Sequence, residues 1–267
     1  MTGPTRSTSH GMHERSTARY GWIPDLPDHR DYRYTAPPPL LRALPARVDL
    51  RKQSPPEIYD QGALGSCTAN AIAAGIEFDL RQRNADTAFT PSRLFIYYNE
   101  RVIEGSVGQD SGAQLRDGVK SVASAGACPE REWPYEISKF ADRPDAACYR
   151  EARRDVVRTY QRLSQDLDTM KGCLAEGFPF VFGFSVFESF ESAQVASTGQ
   201  VPMPAASESM LGGHAVAAVG YLDDKRQFIV RNSWGPSWGD KGHCYMPYAY
   251  LLDRALAADF WTIRSVA

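Results

Sequence analysis

An α+β fold, helical in its first half, strand-rich in its second and cleft between the two, is predicted by three features of the sequence. Residues 66–82 carry Ala69, Ile72, Ala73, Ile76 and Leu80 at helical spacing. The later segments FPFVFGFSV, HAVAAVGYL, QFIVRNSW and GHCYMPY are instead strand-like runs parted by turns. Helices and strands therefore segregate along the chain instead of alternating, which favours α+β over α/β and puts a cleft between the two halves. With 267 residues, 43% hydrophobic and 23% charged, the chain can bury a sizeable core.

The elements follow in order. Residues 1–19 are polar and irregular, and are expected to be mobile. Residues 20–45, YGWIPDLPDHRDYRYTAPPPLLRALP, combine prolines and aromatics with no helical period. This stretch should be extended, and Trp22, Ile23, Tyr32 and Tyr34 need a surface to lie on. Residues 1–45 thus read as an N-terminal extension and 46–267 as the body, with a helical part over about 60–155 and a β-rich part over about 156–267. Ser92–Glu100 and Ala113–Ala125 read as two further helices.

Charge and cysteine usage narrow the function. Thirty basic residues against 32 acidic ones leave a net charge of −2, so no electrostatic footprint for nucleic acid or an anionic membrane is present. No run of 18 apolar residues predicts a membrane span. The opening MTGPTRSTSHGMHERSTARY lacks the apolar core of a secretory signal, so a cytoplasmic location, or export by a route that reads no such signal, is expected. The five cysteines form no C-x-x-C, and His243–Cys244 should point to opposite faces of a strand. No metal site and no cofactor are expected, and the chain is expected to be a monomer.

The chemistry centres on DQGALGSCTANAIAAGIEF, Asp60 to Phe78. Gly62, Gly65 and Ser66 signal a turn, with Ser66 as helix N-cap, so Cys67 falls in the first helical turn. Unpaired backbone N–H groups and the helix dipole favour an anion there and shift a thiol towards thiolate. Taken alone, a free cysteine is more often a small, inert core residue. A reactive one needs an imidazole and a group that orients it. His10, His13 and His29 lie in the N-terminal stretch and His243 in a late strand, whereas His214 opens HAVAAVGYL. If that strand and RQFIVRNSWG form a hairpin about Asp224, His214 falls opposite a residue near 234. Asn232 is then one diagonal step away, which places an amide beside an imidazole.

The blocks PARVDLRKQ, DQGALGSC, AGACPEREWPY, GGHAVAAVGY and RNSWGPSWGDKG, in this order over about residues 46–250, resemble the papain-like cysteine peptidases. GSCTANA and the short Pro/aromatic N-terminal segment are most similar to a bacterial branch of that family. The resemblance implies a two-lobed fold, with a helical left lobe and an antiparallel β-barrel-like right lobe either side of the cleft. It implies Cys67 as nucleophile, His214 as general base and then acid, and Asn232 holding the imidazole through its amide oxygen. Gln61, with the backbone N–H of Cys67, would form the oxyanion hole. Trp234 would shield the His–Asn hydrogen bond, and Trp238 follows it in the motif. Ser111 and Gly112 would hydrogen-bond an extended peptide substrate, with Gly213 also against it. Hydrolysis of peptide bonds through a thioacyl-enzyme follows, with residues 1–45 as a propeptide-like intramolecular inhibitor that holds a zymogen.

Several departures qualify the resemblance. Leu64 stands where the family usually has a disulfide cysteine, and Thr68, in place of the usual Trp, should open the wall on the leaving-group side. Cys148 matches a disulfide position without its usual partner, so Cys128 is a candidate partner and two reduced thiols are the alternative. After Tyr248 the sequence AYLLDRALAADFW diverges from plant-type members, and the floor of the main specificity pocket is expected there. GPSWG matches the G-x-S-x-G elbow of serine hydrolases, but a Gly turn and strand follow Ser237 where a helix is required. A thiol acyltransferase or isopeptidase on the same fold, and a peptide-binding protein that does not cleave, are the remaining alternatives.

Overall fold

The computed structural model describes residues 20–266, so the expectation for residues 1–19 lies outside the described residues. The chain enters through a two-residue strand β1 (Trp22–Ile23), a short helix α1 (Pro38–Leu41) and β2 (Arg47–Asp49). A helical lobe follows, built from α2 (Cys67–Arg83), α3 (Arg93–Glu104), β3 (Ala113–Gln114), α4 (Leu115–Ser124) and α5 (Ala146–Ala152). The second lobe runs through β4 (Val157–Arg162), α6 (Leu167–Ala175), β5 (Phe180–Phe187), α7 (Ala193–Thr198) and β6 (Met210–Leu222). It closes with β7 (Gln227–Arg231), β8 (His243–Pro247), α8 (Tyr248–Leu252) and β9 (Ala257–Val266).

Small side chains make α2 the central helix. Ala69, Ala71, Ala73, Ala74 and Gly75 let it pack on all sides, and every residue from Cys67 to Asp79 is buried. Ile72, Ile76 and Leu115 share a core with Trp261 and Ile263 of β9, which joins the two lobes. The helix α3 begins where the Ser92 hydroxyl accepts the Phe95 N–H and ends at Gly105, whose φ of +70° terminates it. It extends past the expected Glu100 because Arg101, Val102 and Ile103 continue the turn. The helix α4 starts two residues later than the predicted Ala113, because Ala113 and Gln114 pair in parallel with Trp22 and Ile23.

The sheet of the second lobe is antiparallel throughout, in the order β4-β9-β5-β6-β7-β8, with β2 beside the end of β6. Among the described pairings its outer strands β4 and β8 do not meet, so the barrel-like right lobe is an open sheet. In the β6–β7 hairpin Ala217 faces Arg231 and Ala218 faces Val230, symmetrically about Asp224, before an irregularity at Gly220 shifts the register. Phe180, Phe182, Phe184, Phe190, Phe228 and Phe260 form the core beneath, with Phe182 stacked on Phe260 at 5.6 Å. Cys173 and Cys244 fill this core, while Cys128 and Cys148 pack with Phe95 and Ala152 as neighbouring free thiols.

Candidate active site

The loop before α2 is fastened across both lobes. The Gln61 N–H donates to the Ser233 carbonyl at 2.9 Å, and the Gly235 N–H donates to the Tyr59 carbonyl at 2.9 Å. From the helical side, the Arg93 guanidinium donates to the Asp60 carbonyl (3.2 Å) and to Asn70 Oδ1 (3.3 Å) and pairs with Glu130 (2.6 Å). Its face lies 4.1 Å from the centre of the Tyr135 ring. Ser66 stands at the N-cap of α2 as expected and its carbonyl accepts the Asn70 N–H, but its hydroxyl makes no capping bond and is hydrogen-bonded to Tyr135 Oη at 2.5 Å instead. Thr68 is buried and donates to Glu100 of α3 at 2.6 Å.

Cys67 is the first residue of α2 and is completely buried. Burial pushes its thiol up to about 11, against the opposing effect of the backbone amides of Ala215, Gly21 and Thr68. The thiolate-favouring helix terminus is thus outweighed here by the loss of water around the sulfur. Ala215 follows His214 on β6, so the imidazole residue is next to the one whose backbone touches the sulfur.

His214 Nε2 lies 2.8 Å from Asn232 Oδ1, which also accepts the Ser233 N–H at 2.8 Å. An amide oxygen that accepts from both groups holds the imidazole proton on Nε2 and gives Nδ1 the acceptor role. Trp234 stacks on the imidazole at 4.9 Å, and Trp238 meets Trp234 edge-on at 5.1 Å. Gln61 is buried, with Nε2 donating to the Leu64 carbonyl (2.9 Å) and Oε1 accepting from the Ser233 hydroxyl (2.7 Å). Ser233 as the anchor of Gln61 was not anticipated from sequence. Its only sequence signal was its place next to Asn232.

Ser111 and Gly112 lie in the loop before β3 of the helical lobe. The Ser111 hydroxyl donates within its own loop, to Ser106 Oγ at 2.9 Å. The Gly112 N–H donates to Tyr97 Oη at 3.2 Å; Tyr97 donates to Asp110, whose carboxylate accepts the Gly65 N–H at 3.0 Å. Tyr97 and Asp110 therefore tie the Gly112 loop to the loop before α2 within the helical lobe, a role for which sequence offered no signal.

The N-terminal segment threads between these groups. A Cβ on Gly21 would fall 1.7 Å from the Gly65 carbonyl oxygen, and one on Gly112 2.1 Å from the Gly21 oxygen. The Ala113 N–H donates to the Gly21 carbonyl at 2.8 Å. Tyr20 is fully buried beside His214 (6.1 Å) and Trp234 (6.2 Å), and its hydroxyl donates to Glu191. Gly213 abuts Trp22, where an added Cβ would stand 2.5 Å from the Trp22 carbonyl oxygen. Further along, Asp31 pairs with Arg116 of α4 (2.7 Å) and Arg162 of β4 (3.1 Å), while Asp25 accepts the Arg116 N–H (3.0 Å) and the Trp261 indole N–H (3.0 Å). Burial, with Asp259 nearby, raises the Asp25 carboxyl to about 6.

A helical lobe and an antiparallel sheet that meet at a thiol, an imidazole and an amide define the papain-like class of thiol peptidase. The chain belongs to the papain family of cysteine proteases, whose family pattern matches residues 44–251. It is similar to xylellain, a cysteine protease from Xylella fastidiosa, at 44% identity and TM-score 0.89, over 96% of this chain and 100% of that one. An uncharacterised peptidase C1-like protein of Acanthamoeba polyphaga mimivirus is 45% identical, over 92% of this chain and 87% of that protein. Chymopapain of Carica papaya is 28% identical over 81% of this chain and 57% of its own length. With a viral relative as similar as the bacterial one, the likeness to a bacterial member does not assign a source.

Proposed function

We propose that Cys67 hydrolyses peptide bonds through a thioacyl-enzyme, with His214, Asn232 and Gln61 as its catalytic partners. The observation that carries the reading is the 2.8 Å contact of His214 Nε2 with Asn232 Oδ1, beside a cysteine at a helix N-terminus. The Cys67 thiol gives its proton to His214 Nδ1 as Sγ attacks the peptide carbonyl carbon. The resulting oxyanion accepts hydrogen bonds from the Cys67 N–H and the Gln61 side-chain amide. As the C–N bond breaks, the imidazolium protonates the leaving amine. Water, deprotonated by His214, then attacks the thioester, releasing a carboxylic acid and the thiol.

Residues 20–45 act in this reading as the propeptide-like inhibitor of the body that follows, from residue 46. Gly21 pairs with Ala113 much as an extended peptide substrate would, and it lies against the Cys67 sulfur. Ser111, Gly112, Gly213, Trp234 and Trp238 then line the path that the segment and a substrate share. Mass analysis of a defined peptide, incubated with the full chain and a competing amine, tests the reaction. Products ending in free carboxylates, absent with Cys67→Ser, are expected; products joined only to the amine would make the protein an acyltransferase.

A further inference from the structure

Trp22 occupies a slot that two glycines open for it. A Cβ on Gly183 of β5 would stand 1.9 Å from its ring, and one on Gly213 of β6 2.8 Å from it. Gly183 pairs with Ala215, and Gly213 with Ser185, so the slot is part of the paired sheet and not of a loop. At its far end is Asp259 of β9, which is 2% exposed. Its Oδ2 accepts the Trp22 indole N–H at 3.2 Å and the Asp25 backbone N–H at 2.7 Å, while Oδ1 accepts from the Arg162 guanidinium at 2.7 Å.

The backbone presents this carboxylate by unusual means. Val181 faces Trp261 but Gly183 faces Ala258, so β9 carries one residue more than β5 across this step. Asp259 lies within that bulge at φ +59°, a left-handed position that ordinarily falls to glycine. Bulges of this kind re-aim a side chain beside an active site, and a non-glycine residue held at positive φ points to use of the side chain.

We propose that Asp259, at the foot of this slot, makes the peptidase select a substrate side chain that is aromatic and bears a hydrogen-bond donor, tryptophan or tyrosine. The inference rests on the peptidase reading of Cys67. Two of the three donors to Asp259 arrive on the N-terminal segment and leave with it. A buried acceptor left without a donor is costly, so a substrate that brings one to the same depth is favoured over phenylalanine. The size of the slot is set by the indole it already holds. Cationic side chains are disfavoured, because removing Asp25 and Asp31 with the segment leaves Arg116 and Arg162 facing Asp259 alone. Trp22 adjoins Gly21, which lies against the sulfur, so the selected residue is close to the scissile bond.

The full chain carrying Trp22→Ala, which empties the slot, is assayed on peptides bearing Trp, Tyr, Phe, Leu or Arg at each of three residues before the cleavage point. At one of these positions kcat/KM for Trp and Tyr should exceed that for Phe by about tenfold or more, with Arg lowest. Adding Asp259→Gly, which suits the left-handed backbone and removes the carboxylate, should raise Phe to equality with Trp and Tyr. Gly183→Ala in place of it should reduce all three aromatics together in favour of Leu. Phe equal to Trp and Tyr with Asp259 intact, a preference for Arg, or cleavage without discrimination at any position would overturn the inference alone. Failure to cleave any peptide in a variant whose Cys67 iodoacetamide alkylates readily, which shows the cleft open, would overturn the peptidase reading and the inference with it.

Discussion

At the scale of single residues, the site depends on groups that hold the reacting ones still. Gln61 is useful to an oxyanion only if its amide is fixed beforehand, and both ends of that amide are held: Nε2 by the Leu64 carbonyl and Oε1 by the Ser233 hydroxyl. Replacing Gln61 by Ala should therefore lower the acylation rate by about 10²–10³, the usual worth of one oxyanion donor. Ser233→Ala leaves the donor present but lets it turn, and about a tenfold loss in kcat with unchanged KM is expected from single-turnover kinetics. A larger loss in Ser233→Ala than in Gln61→Ala would mean that Ser233 acts on the oxyanion through something other than Gln61. The residues proposed to react stand out in the sequence because each carries chemistry that its neighbours lack: one cysteine at a helix start, one histidine opening a strand. Ser233, Tyr97 and Asp110 do not, since serine, tyrosine and aspartate have too many ordinary uses for type or spacing to single them out.

At the scale of elements, local pairing was readable and distant pairing was not. The β6–β7 hairpin could be placed from its turn, and its symmetry about Asp224 brings His214 to Asn232. By contrast, the parallel pairing of β1 with β3 joins Trp22 to Ala113 across a long stretch of chain, and nothing local announces it. The bulge that turns Asp259 into the cleft is equally silent, because the sequence ADF has no glycine to mark a left-handed residue. The β1–β3 pair yields a direct test. Gly21 has no room for a methyl group, since a Cβ would press on the Gly65 backbone at 1.7 Å, and backbone yields less readily than a side chain. Overpacking of this kind costs about 1–3 kcal/mol. Gly21→Ala should lift the segment from the cleft and speed iodoacetamide alkylation of Cys67 by roughly tenfold or more at fixed pH, by the same energy. The melting temperature of the body should change little. A lower melting temperature with unchanged alkylation would make the segment a stabilising strap.

At the scale of the whole molecule, the segment is pinned to both lobes by charge. Asp25 faces Arg116 of α4, Arg162 of β4, and Asp259 and Trp261 of β9, and the Glu104 carboxyl of α3, which accepts the Gln114 N–H at 2.7 Å, is near enough for its charge and that of Asp25 to repel. An acid-opened clasp is the intuitive expectation, and the direction of the Asp25 shift argues against it. Burial and Asp259 raise its carboxyl from 3.8 to about 6 when the segment is docked. The docked state therefore holds the proton more tightly than the released one. This contribution is complete below the released value, near 3.8, and is lost as pH rises through about 6. Burial also acts on Asp31, but Arg116 and Arg162 outweigh it and lower its pKa, so that contribution is lost only in stronger acid. Going from pH 7 to pH 5 should thus tighten the segment, by on the order of 1 kcal/mol, because only about one pH unit of this interval lies below the docked value. Hydrogen exchange of residues 21–26, corrected for the intrinsic effect of pH, should be slower at pH 5 than at pH 7. Asp25→Asn, which cannot ionise, should abolish that difference and slow exchange at pH 7. Faster corrected exchange at pH 5 in the unaltered chain would show that mild acid opens the clasp, and that Asp31, not Asp25, governs it.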